Sequence, residues 1–109
     1  MERRDYLEKQ IEQIGHFVAR ILGLRAENPE QAAQEADQAL GRVTGFPLGM
    51  LLRLGPAGVL GMLGKERARA ALPLFNASAE ALRAAGRVRE AEELARIAEH
   101  VAKAAPERS

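Results

Sequence analysis

From Leu72 to Pro106 the chain carries two Ala-rich helical patterns that meet at Ala85-Gly86-Arg87. In the first, whose helix is expected to begin upstream at Lys65, Ala68, Ala71, Leu72, Phe75, Ala79 and Leu82 recur on one side. In the second, Val88, Ala91, Leu94, Ala95, Ala98, Val101, Ala102 and Ala105 share a face, with Arg89, Glu92, Glu93, Arg96, Glu99 and Lys103 outside it. Small residues at helical spacing, with a glycine between the two runs, describe an antiparallel hairpin whose helices approach closely. Alanine contributes little apolar area, so the bulk of the core must come from elsewhere in the chain. Only 4% of the residues are aromatic, which leaves Leu, Ile and Val to supply it, and this Ala- and Leu-rich palette favours helices.

The preceding segments fit the same class. Between Asp5 and Gly23 the residues Leu7, Ile11, Ile14, Val18 and Ile21 are separated by four, three, four and three, a heptad-like seam widened by Tyr6, Phe17, Leu22 and Leu24. Asp5 is positioned as an N-cap with Glu8 three residues on, and Glu8, Lys9, Glu12, His16 and Arg20 form the polar face. A second helix opens with Asn28 as cap, Pro29 in the first turn and Gln31 in capping-box position, and is expected to run to about Leu40, before Gly41 and Gly45. Phe46 to Leu63 is the most apolar stretch. Arg53, Pro47, Pro56 and glycines at 49, 55, 58, 61 and 64 interrupt it, which argues against a membrane span. The pattern predicts two short helices, Pro47 to Leu54 and Pro56 to Leu63, joined at Gly55, with Met50, Leu51, Leu54, Val59, Leu60, Met62 and Leu63 plugging the core. Lys65 to Ala85 reads as a helix kinked at Pro73, or as a short helix over 65–71 and a restart at Pro73. The last helix is expected over Val88 to Ala105, with Glu92 to Arg96 and Glu99 to Lys103 as i,i+4 pairs. With 109 residues the chain is expected to form one all-α domain, 1–109, of five to seven helices.

The spacing around Gly86 resembles that of a tetratricopeptide-type hairpin: Leu82 lies four residues before the glycine, and Ala91, Ala95 and Ala98 follow it at five, nine and twelve. The chain departs from that pattern at Ala95, where a large residue is usual, and at Pro106, which comes a few positions late. Phe75 matches the early aromatic only loosely, and no second copy is visible at a period of about 34. The order of parts also resembles a family of small, uncharacterised bacterial all-helical proteins. These begin with a motif like Asp5-Tyr6-Leu7 and Gln10-Ile11-Glu12-Gln13-Ile14, have a Leu-rich middle, here Leu51-Leu52-Arg53-Leu54 and Val59-Leu60-Gly61-Met62-Leu63, and end in such a hairpin. The resemblance implies the fold and brings no assigned activity.

Composition excludes several functions. There is no Cys, hence no disulfide and no thiol catalysis, and a net charge of +1 gives no long-range field to gather nucleic acid or anionic membrane. Met1-Glu2-Arg3-Arg4-Asp5 leads into an amphipathic helix rather than a signal peptide, so a cytoplasmic location is expected. Arg outnumbers Lys and Asn is limited to Asn28 and Asn76, a bias produced equally by thermophily and by a GC-rich genome.

No catalytic residue, metal ligand or cofactor site is assigned. Glu8, Glu12 and His16 share one helical face, but this is the solvent face and reads as a charge ladder rather than a metal site. Gly58, Gly61 and Gly64 lack the strand and the Lys-Ser or Lys-Thr of a phosphate loop. Thr44, Asp37, Tyr6 and Ser78 have no companion in sequence that would activate them, and Ser78 reads as a small helix residue bonded back to a carbonyl. The preferred expectation is a non-enzymatic interaction module that self-associates, as a homodimer, through Tyr6, Ile14, Phe17 and Ile21 of the first helix. The alternative is a nucleic-acid-associated regulator using Lys65, Arg67 and Arg69, and a third reading is a small-ligand pocket between the apolar middle and the hairpin.

Overall fold

The computed structural model describes residues 2–104, with side chains from 8 onward, and consists of five helices: α1 (Glu2–Glu27), α2 (Pro29–Thr44), α3 (Leu48–Ala70), α4 (Leu72–Ala84) and α5 (Val88–Ala104). No strand occurs among the described residues. α1 and α2 form one hairpin and α4 and α5 a second. α4 is the shared element, packed against α1, α2 and α5, while α3 covers the other side of α5. The 26 residues of α1 span about 39 Å at 1.5 Å per residue, which accounts for the 40 Å long axis of the molecule. This is the all-α, single-domain architecture that the residue pattern and its resemblance to small helical proteins imply.

The turns follow local chemistry. Asn28 caps α2: its Oδ1 accepts the Gln31 N–H at 3.2 Å, and its own N–H closes α1 on the Leu24 carbonyl at 2.7 Å. α2 continues past Leu40 to Thr44, because Gly41 is carried within the helix and the stop falls at Gly45, whose φ of 83° places it in the left-handed region. The apolar middle breaks at Gly55 as expected and again at Gly64, with φ of 73° and 83°, so α3 is built from stretches 48–54, 56–63 and 65–70. Pro73 produces no kink. Ala71 separates α3 from α4, and Pro73 falls in the first turn of α4, where its missing N–H has no partner to lose. Gly86, at φ 87°, closes the second hairpin in a Schellman arrangement: its N–H donates to the Arg83 carbonyl at 3.0 Å, and the Arg87 N–H donates to the Leu82 carbonyl at 2.8 Å.

Phe75, Ile21, Leu40, Leu51, Leu74, Leu82, Leu94, Ile97, Val59 and Val101 fill the centre. Two residues assigned to the plug, Met50 and Met62, instead lie on the outer surface of α3. α5 turns its Leu94, Ile97, Ala98 and Val101 inward, which leaves Val88 at the exposed edge of its apolar face.

Candidate interaction surface

α1 lies against α2 on one side and α4 on the other. Arg20 pairs with Glu35 of α2 at 3.3 Å, and Arg25 pairs with Glu80 of α4. Between these two contacts the helix buries Ile14 and Ile21, only 2% and 0% exposed. The expected docking surface is thereby corrected: Ile14 and Ile21 belong to the core, and Phe17 is half-buried against it. The Tyr6 side chain lies outside the described side chains. The expectation assumed that Ala-rich neighbours leave a broad stripe uncovered. Small residues have the opposite effect, since Ala32, Ala33, Ala36 and Ala77 let the helices approach until the bulky side chains of α1 are enclosed.

What α1 leaves uncovered is the edge next to α4. Ile11 (54% exposed), Gly15, half-buried Val18 and Leu22 (38% exposed) recur at spacings of four, three and four and therefore share a face. Ile11 borders an open groove of about 450 Å³ shared with Arg69, Ala70, Leu72, Pro73 and Asn76. The groove is apolar along Ile11, Leu72 and Pro73, with polar groups at its rim. Sequence periodicity contained Ile11 and Leu22 but could not say which edge of a wide stripe the neighbours would cover.

The basic residues that carried the nucleic-acid alternative point to different places. Lys65 is exposed, Arg69 borders the α1–α4 groove, and Arg67 reaches back so that its Nη2 donates to the Val43 and Thr44 carbonyls at 3.4 and 3.5 Å. Those carbonyls are the negative end of the α2 dipole, where a guanidinium satisfies acceptors that the helix cannot. Gln10 donates to the same Val43 carbonyl at 3.3 Å, so α1 and α3 both tie down the end of α2.

The remaining polar candidates have structural roles. Thr44 Oγ1 donates to the Leu40 carbonyl at 2.6 Å and accepts the Phe46 N–H at 3.0 Å. Asp37 Oδ1 accepts the Leu48 N–H at 3.4 Å, which fastens the start of α3 to α2. Ser78 does not bond back to a carbonyl: its hydroxyl is buried in α4 without a partner. Glu12 and His16 line a shallow polar groove with Lys9, Gln10, Gln13 and Arg42, and among the described residues no three Asp, Glu or His side chains gather to hold a metal.

At the α4–α5 turn Arg87 forms a two-pronged pair with Glu90, at 2.6 and 3.1 Å. The hydrogen bond from Arg87 lowers the pKa of Glu90 from the usual carboxylate range, and the same bond, with the charges of Glu90 and Asp37, raises that of Arg87. Among the described residues no single helix is long and apolar enough to cross a membrane. No protein-family model, curated protein or solved structure matches the chain.

Proposed function

We propose that this protein is a non-catalytic interaction module that associates with itself through the α1–α4 edge. The observation that carries the reading is Ile11, a large apolar side chain more than half exposed beside an apolar groove. Fully burying an Ile or Leu contributes about 1.5–3 kcal/mol, and roughly half of that remains available at Ile11 and less at Leu22, so covering both on each copy supplies a modest driving force. The tetratricopeptide-like hairpin fits an interaction role only outside its own inner face, because α4 and α5 already pack against α1, α2 and α3. A nucleic-acid role draws less support, with Arg67 engaged at the end of α2.

Light scattering on a sizing column, run from low to high micromolar protein, tests the proposal. Wild type is expected to move from monomer towards dimer as concentration rises. Ile11→Glu is expected to stay monomeric, with an unchanged helical circular-dichroism signal. A wild-type monomer across the whole range, or an Ile11→Glu protein that dimerises normally, would overturn it.

A further inference from the structure

We infer that the exposed edge of α1 beside the groove is covered by α1 of a second copy lying antiparallel, with a two-fold axis at the level of residues 16–17 that sets Ile11 against the other Leu22 and Gly15 against the other Val18. The inference rests on the self-association reading above and adds its partner segment, direction and register.

The seam is self-complementary in its spacing. Residues 8, 11, 15, 18, 22 and 25 are separated by three, four, three, four and three, an order that reads the same from either end. Two helices that meet along such a row in opposite directions bring each position onto a counterpart: 11 onto 22, 15 onto 18, and 8 onto 25. A parallel copy sets each residue against itself, which leaves Gly15 facing Gly15 and the row without a knob for its gap.

Gly15 supplies the shape. A Cβ built on it meets nothing within 4 Å, so no neighbour in the chain itself requires the glycine. Gly23 in the same helix is equally open, and what distinguishes Gly15 is its place in the exposed row between Ile11 and Val18. As a notch in the exposed row it admits the half-buried Val18 of the opposing helix, a knob entering a hole.

Charge selects the direction. The seam ends on Glu8 and Arg25, of opposite sign. Antiparallel packing places Glu8 beside the other Arg25 twice, whereas parallel packing places like charges together at both ends. Arg25 already holds Glu80, and the remaining donors of its guanidinium can take a second carboxylate. The contact is isologous and closes after two copies. A seam of 17 residue steps is about 26 Å long, enough for a weak dimer rather than a permanent one.

The absence of Cys allows a direct test by cross-linking of the full chain. Ile11→Cys and Leu22→Cys variants are prepared separately, mixed at high micromolar concentration and oxidised with a copper catalyst. The mixture is expected to give a disulfide-linked heterodimer, and each variant alone little cross-linked product. Within one helix the two positions are about 16 Å apart, too far for an internal bridge. Homodimeric cross-links within each variant alone indicate a parallel contact and overturn the register while leaving self-association standing. No heterodimeric cross-link from the mixed variants, when wild type does dimerise, also overturns it, and a wild type that never dimerises removes the parent reading instead. A second variant guards against loss of contact through the cysteines themselves: Gly15→Gln is expected to raise the Tm of the monomer and weaken dimerisation at least tenfold. A Gly15→Gln protein that dimerises like wild type sinks the notch.

Discussion

α4 and α1 occupy opposite ends of a scale. α4 has 13 residues and buries Leu74, Phe75, Ala77, Ser78, Ala79, Ala81 and Leu82, so more than half of it is enclosed. α1 is twice as long and, among its described side chains, fully buries only Ile14 and Ile21. The residue types account for the difference. Alanines around α4 let three helices approach it, so it is covered except along the stripe of Pro73, Asn76, Glu80 and Arg83. α1 presents branched side chains to α2 and α4 and keeps the edge beside α4, with Ile11 and Leu22, in solvent. The enclosed helix carries a large share of the core, and the half-covered one keeps large apolar side chains in solvent.

The largest expected effect tests that division. Phe75 is the largest side chain fully enclosed in the core, and Phe75→Ala is expected to destabilise the protein by about 3–5 kcal/mol in urea unfolding, through lost burial and the cavity left behind. The same truncation on the open edge, Ile11→Ala, is expected to change monomer stability by no more than about 0.5 kcal/mol. If the two losses prove similar, α4 is not the keystone and Ile11 is better packed than its exposure suggests.

A smaller effect of opposite sign sits inside α4 itself. Ser78 is fully buried, and its hydroxyl has no hydrogen-bond partner. An unsatisfied buried hydroxyl costs about 1–3 kcal/mol relative to a satisfied one, and the site already tolerates a side chain of this size. Ser78→Ala is therefore expected to leave stability unchanged or raise it by up to about 1 kcal/mol. A marked loss of stability on that substitution would show that the hydroxyl does have a partner in solution.

The sequence displayed those parts of the fold that depend on a few adjacent residues. Asn28-Pro29 with Gln31, the break at Gly55 and the turn at Gly86 each act within one turn of chain, and each occurs where the pattern places it. The restart after Ala71 was one of two options, since Pro73 is compatible with a kink or with a new first turn, and only the neighbouring packing selects between them. The candidate surface was less legible. Ile14 and Ile11 are equally apolar in the seam, and which of them faces α2 and α4 depends on how closely alanines far along the chain allow those helices to come. Likewise, neither the reach of Arg67 to Val43 nor that of Asp37 to Leu48 leaves a local mark, because each joins elements separated by a turn.

The smallest expected effect concerns the hinge that holds α4 to α5. The folded-state pKa of Glu90 lies below its unfolded value of about 4.3, chiefly because Arg87 donates a hydrogen bond to the carboxylate. A depressed carboxylate contributes its stability in full above the unfolded value and loses it as pH falls through the folded one. The two side chains are 39% and 38% exposed, so solvent screens the pair and its contribution is held under about 1 kcal/mol. Wild type is therefore expected to exceed Glu90→Gln in Tm at pH 7 by a small margin, and the margin should shrink as pH falls below the ordinary carboxylate range. High salt should narrow the same gap at neutral pH, because a half-exposed pair is screened where an enclosed contact such as that of Phe75 is not. A margin that persists unchanged at low pH would mean that Glu90 supports the turn through packing rather than charge, and the hinge would then belong with the enclosed region of the molecule.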